Sequence, residues 1–172
     1  QTSMTTGDSG NPYIASYWRT QGSDIPQFFV VYFQDDDWKV TQVSDRQMPF
    51  SLSGGGSRRI PVSRPQILFS GDHNSIHVVY RDGEENNRIC IASADVTAMD
   101  WHLQTIPDVA VGQWEPSYDT ELWKDKKLLH LFVQKVGQGE GNENPEDMES
   151  TVVKVLEFDE KAWAGTSSPN DE

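Results

Sequence analysis

Asn11-Pro12-Tyr13-Ile14-Ala15-Ser16-Tyr17-Trp18-Arg19, Gln27-Phe28-Phe29-Val30-Val31-Tyr32-Phe33 and Trp38-Lys39-Val40-Thr41-Gln42-Val43 follow one another closely near the start of the chain. Each is a short run rich in β-branched and aromatic residues, and Gly, Pro, Asp or Ser separates it from the next, which is the grammar of strands. Asp35-Asp36-Asp37, between the second and third runs, reads as a hairpin turn. With Gln1-Thr2-Ser3-Met4 ahead of them, they make a unit of four strand-like runs.

The same order returns twice. Arg64-Pro65-Gln66-Ile67-Leu68-Phe69, Ser75 to Arg81, Arg88 to Ala92 and Trp101 to Ile106 form a second unit. Glu115-Pro116-Ser117-Tyr118-Asp119, Leu128 to Gln134 and Thr151 to Phe158, with a weak last run near Trp163, form a third. A repeat of about 50 residues carrying four strands suits a β-propeller blade. The expected architecture is therefore all-β, a partial propeller of four-stranded antiparallel blades. The blades fall at approximately 1–48, 60–108 and 112–165, with a linking loop at 49–63 and an acidic loop at 137–149. A sandwich of about 12 strands is the competing all-β arrangement, and the repeated strand order argues against it. Propellers close with about four to eight blades, so three blades read as one piece of a larger closed structure.

Composition narrows the partners. Six Trp, seven Phe and five Tyr supply the core, and 13 Gly and 9 Pro punctuate it. With 14 basic against 27 acidic residues the formal charge is −13, which disfavours nucleic acid and anionic membranes. No stretch approaches the roughly 18 to 20 apolar residues of a membrane-spanning helix. Cys90, flanked by Ile89 and Ile91, is the single cysteine and reads as a buried small hydrophobe. The four histidines lack metal-ligand spacing, so structural roles are expected and no metal site is assigned. The acidic run Gly137 to Glu149 also lacks the regular spacing of a calcium loop. No cofactor is expected for the chemistry, while a structural calcium or zinc ion elsewhere in a full-length protein stays open.

In a propeller, the loops that enter the innermost strands and those that join second to third strands share one rim. That places Gln1, Arg64, Gln66, Glu115 and Tyr118 on inner strands, and Arg19, Arg81 and Gln134 at the ends of second strands. Pro49 to Arg64 is a long connection with three successive glycines and with Arg58, Arg59 and Arg64. Guanidinium groups meet carboxylate or sulfate with bidentate geometry, so an anionic ligand is expected there. The alternative for Arg58 and Arg59 is neutralisation of nearby acids. Tyr17, Trp18, Trp114, Tyr118 and Trp123 are candidates for stacking on sugar faces or for packing between blades. No nucleophile elbow or zinc-protease helix is present in the sequence.

Asn11 to Arg19, Pro49 to Gly56, Ile60 to Pro65 and Trp114-Glu115-Pro116-Ser117-Tyr118-Asp119-Thr120-Glu121-Leu122-Trp123 together resemble the BNR-repeat family of bacterial propellers, over nearly the whole chain to about Phe158. The resemblance implies about three blades of a seven-bladed propeller. It also implies a relation to ulvan lyases and propeller α-L-rhamnosidases, and a secreted, periplasmic or cell-surface location in a bacterium. Under that relation the ligand is an anionic, uronate-containing polysaccharide, and the remaining blades of a parent chain are partners. Arg64 matches the carboxylate neutraliser of such a lyase, with Arg81 second, and Tyr118 is an acid or substrate contact. Gln1, Arg19, Arg58, Arg59, Gln66, Arg81, Trp114 and Glu115 are substrate-binding candidates. The Asp-box turn that names the family is missing, and none of the histidines matches the family's motif, so the chain alone is expected to be catalytically incomplete. Glycoside hydrolysis and noncatalytic binding of glycan or protein are the alternatives.

Overall fold

The computed structural model describes residues 2–51, 59–137 and 150–159. Gln1, Arg58, the three glycines Gly54 to Gly56, most of the acidic loop and the run near Trp163 lie outside the described residues. The first unit is a meander of β1 (Ser3–Thr6), β2 (Pro12–Trp18), β3 (Gln27–Gln34) and β4 (Asp37–Gln42), hydrogen-bonded in sequence order. The second is a like meander of β5 (Gln66–Phe69), β6 (Ser75–Asp82), β7 (Arg88–Asp95) and β8 (His102–Ala110). Every pairing is antiparallel, and the register of β7 against β8 shifts between Arg88 and Cys90. The β3–β4 hairpin turns on Asp35 and Asp36, both with positive φ, a two-residue turn whose backbone twist matches that of the strands it joins.

The third unit departs from the expected pattern. Glu115 to Asp119, expected as an inner strand, makes only an isolated antiparallel bridge, Tyr118 to Leu131. It runs into helix α1 (Thr120–Lys126), followed by β9 (Leu128–Val133) and β10 (Lys154–Asp159), which pair with each other. The helix has clear local causes. Asp119 caps it by accepting from Leu122 N, Glu121 sits in its first turn, and Lys124 and Lys126 sit in its last. Each complements the charge of its helix end. Lys127 then stops it in the left-handed conformation.

The alternation of side chains explains how the units stack. In the second sheet Ile67, Phe69, Ile76, Val78, Tyr80, Cys90 and Ala92 pack with Tyr13, Ala15, Phe28, Val30 and Tyr32 of the first. Their neighbours of opposite parity, Leu68, Val79, Ile89 and Ile91, pack with Trp114, Trp123, Leu129, Leu131 and Val133 of the third unit. A strand period of two thus buries both faces of the second sheet, whereas among the described residues the first sheet and the β9–β10 pair each bury mainly one. The edges where the units meet first are also tied together. Ser3 Oγ donates to Gln66 Oε1 (3.4 Å) and accepts from Ile67 N (3.2 Å), and Gln66 Nε2 donates to the Pro116 carbonyl (3.3 Å). One hydrogen-bonded line therefore crosses all three units. Among the described residues no helix is long and apolar enough to cross a membrane.

Candidate functional site

The segment leading into β5 lies along the end of β6. Val62 bridges Asp82, Ser63 N donates to the Arg81 carbonyl, and Gly83 N donates to the Pro61 carbonyl at 2.7 Å. Beneath this strip Arg81 is almost wholly buried. Its Nε donates to the Trp114 carbonyl, Nη1 to the Pro61 carbonyl and to Asn87 Oδ1, and Nη2 to the Ile60 carbonyl. Burial lowers its pKa, with Glu115 and Asp82 opposing. A buried guanidinium is tolerable only with such hydrogen bonds. The sequence places Arg81 on the rim as a ligand contact; the structure makes it a brace that holds the entry segments of two units. Trp114 is likewise buried, its indole donating to the Phe132 carbonyl at 2.7 Å.

Arg64 follows Ser63, whose hydroxyl accepts from Arg81 N at 2.8 Å. The Arg64 side chain is exposed, and its backbone N–H donates to Glu115 Oε2 at 2.8 Å. That bond draws the exposed Glu115 of the third unit to the second. Tyr17, at the end of β2, completes the cluster from the first unit. Burial raises its phenol above the ordinary value and Glu115 adds to this, while Arg64 and Arg81 pull it back. The phenol therefore keeps its proton at neutral pH, within the field of Arg64. Tyr118 does not share that field. Its phenol is raised by burial alone and its ring packs on the core of the third unit. Gln66 is spent on Ser3 and Pro116, as described above.

Near this cluster lies a cleft of about 390 Å³ between the first two units. Arg46 lines it, buried and paired with Asp82 and with Glu84 at 2.9 Å. Gln27 holds the Arg46 backbone from both sides, accepting from its N–H and donating to its carbonyl, each at 2.8 Å. The Arg46 guanidinium also lies 5.2 Å from the Phe50 ring centre. Glu84 accepts from Gln47 N and Met48 N as well. Arg59, exposed, also lines it, with Met48, Pro49, Pro61, Gly83, Asn87 and Gln113.

The remaining sequence candidates are scattered. Arg19 is exposed and 3.5 Å from Asp24. Gln134 donates to the Thr151 carbonyl. Trp18 stacks on Phe29 with ring centres 4.1 Å apart, and Trp123 is buried under Lys127. His77 is buried against Ser93 Oγ, and His130 is 2.7 Å from Glu157. Among the described residues no group of three His, Cys, Asp or Glu is placed to hold a metal ion. Cys90 is buried, and burial pushes its thiol up to about 12, so it carries no reactive thiolate at neutral pH.

Sequence reasoning missed Arg46, Glu84, Asn87 and Gln113, which line this cleft. Arg46 follows β4 in Asp45-Arg46-Gln47 and its acids lie in Asp82-Gly83-Glu84, with no spacing rule linking the two. The one available signal was an isolated base just beyond the last strand of a unit. No protein-family model matches the chain, and no curated protein matches it.

Proposed function

We propose that this chain supplies three blades of a larger β-propeller that acts at the bacterial surface or periplasm on a uronate-containing, ulvan-like glycan, and that the reaction is β-elimination. The observation that carries this reading is the cluster at Arg64, where an exposed guanidinium with no ion pair among the described residues stands in the field of a protonated tyrosine. Two further observations support the propeller part: the repeated meanders, and the hydrogen-bonded line from Ser3 through Gln66 to Pro116.

The chemistry asked of these residues is limited. Arg64 meets the uronate carboxylate and neutralises it, which lowers the cost of forming a carbanion at C5. A base removes the C5 proton, the electron pair becomes the C4=C5 bond, and the C4–O bond breaks. The departing oxygen takes a proton from a phenol. Tyr17 suits that step better than Tyr118, because it lies near the carboxylate's cation and keeps its proton at neutral pH. On this reading the base comes from another blade of the larger propeller.

The test is to follow ultraviolet absorbance while the full-length parent protein is incubated with ulvan. Elimination creates a C=C bond conjugated to the carboxylate, so absorbance rises. Arg64→Ala is expected to reduce the rate by about a hundredfold or more, the scale of losing a charge-stabilising donor, and Tyr17→Phe by a similar factor. Sugar released without absorbance would replace elimination with hydrolysis, and glycan bound without product would leave a binding module.

A further inference from the structure

We propose that the cleft between the first two units is a second carbohydrate site, separate from Arg64, which takes one carboxylate-bearing pyranose and holds its carboxylate on Arg59. The cleft volume of about 390 Å³ falls in the range of small-ligand pockets. Met48, Pro49 and Pro61 give it apolar walls, the surface that the C–H face of a sugar ring packs against.

The charges inside it are not equally available. Arg46 is held by Asp82 and Glu84. The two oxygens of Glu84 are taken in turn by Arg46, Gln47 N and Met48 N. Arg59 has no ion pair among the described residues. In the orientation of Gln113 in which its amide nitrogen donates to the Ile60 carbonyl (3.2 Å), its oxygen accepts from Arg59 Nε (3.3 Å). That contact fixes one edge of the guanidinium and leaves the terminal nitrogens for a bidentate acceptor. The two arginines and two acids cancel formally, so the cleft does not recruit anions by field. It selects them by the direction of one guanidinium, beside walls that favour a ring. Asn87, whose Oδ1 is held by Arg81, keeps its amide nitrogen on the same lining for a ring hydroxyl.

The choice of ligand rests on the uronate reading above, but binding in the cleft requires no elimination. The experiment titrates D-glucuronate into the isotope-labelled protein and follows the backbone amides of Gly83, Asn87 and Gln113. D-glucose and acetate serve as the neutral-sugar and bare-carboxylate comparisons. Glucuronate is expected to move these amides saturably, with glucose and acetate each about tenfold weaker or more. Arg59→Ala is expected to weaken glucuronate by about tenfold or more, the scale of one charge-assisted contact, while Lys39→Ala leaves it unchanged. Equal binding of glucose or acetate, full binding by Arg59→Ala, or motionless amides would each overturn the proposal. Absorbance from ulvan without movement at the cleft sinks the cleft alone, and cleft movement without absorbance sinks the lyase reading alone.

Discussion

His77 lies in β6 with its Nδ1 2.8 Å from Ser93 Oγ and almost no contact with solvent. Burial drives its pKa down to about 4 from 6.5, with Asp72 opposing. The folded chain therefore keeps this ring neutral, while the unfolded chain protonates it below about 6.5. Between those values the unfolded state holds more protons, so stability rises with pH across the window and is lost as pH falls through it. A depression of this size corresponds to about 3 kcal/mol at its fullest extent. Asp72 acts in a different window. Hydrogen bonds from Ser70 and Asn74 hold it down at about 2, so its contribution is lost only below the ordinary carboxylate range. Urea midpoints measured from about pH 7 to about pH 5 should fall for the native chain and stay nearly flat for His77→Gln. A parallel fall in both would assign the loss to other groups. A structural role for His77 was legible in the sequence, because its neighbours Ile76 and Val78 are strand core. The partners of Arg81 were not, since three of its four acceptors are backbone carbonyls, which carry no residue signature.

Among elements, the passage from β8 to the third unit turns on Gly112. Its φ is +60°, and a Cβ there would stand 2.1 Å from the Val136 carbonyl oxygen. Gln113 N donates to that same oxygen at 2.8 Å, and Val136 N donates to the Val111 carbonyl at 3.0 Å. Gly112→Ala is expected to cost about 2–4 kcal/mol, combining left-handed strain with a backbone clash. Gly10→Ala, also at positive φ but with open space around it, should cost about 1 kcal/mol. Thermal unfolding of the two variants checks the difference, and equal losses would mean that the close approach of Val136 is of no consequence. The four-strand units were read well in sequence because hydrophobic runs and turn residues agree there. Helix α1 was missed for a definite reason. The match of Glu115-Pro116 to Arg64-Pro65 extended a strand assignment through Asp119, although Asp119, Glu121, Lys124 and Lys126 mark a capped helix. Local capping chemistry prevailed over analogy between units.

At the scale of the molecule, the far face of the first sheet carries Met4, Ile14, Val31 and Val40 in register across its four strands. Met4 and Val40 are 65% and 58% exposed, and Trp38 is 54% exposed beside Phe33. A row of this kind is a contiguous apolar patch on a chain of net charge −13, the kind of surface that promotes association. Left uncovered, it should make the chain associate as concentration and salt rise. Val40→Glu should suppress that association in light scattering while changing stability by no more than about 0.5 kcal/mol. Association unchanged by the substitution would point to a different contact. The stacking of units was legible in the sequence, because alternation along Ile67-Leu68-Phe69 and Ile89-Cys90-Ile91 already divides side chains between two faces. The cleft was not, since it forms only where residues far apart in the chain meet. Arg81 carries a last consequence. Its guanidinium belongs to the second unit, yet its Nε depends on the Trp114 carbonyl of the third. The repeats are therefore poor currency for recombination. A chain severed between Val111 and Trp114, or one in which an exchanged third unit sets the backbone at that position differently, inherits a buried cation with an unanswered donor.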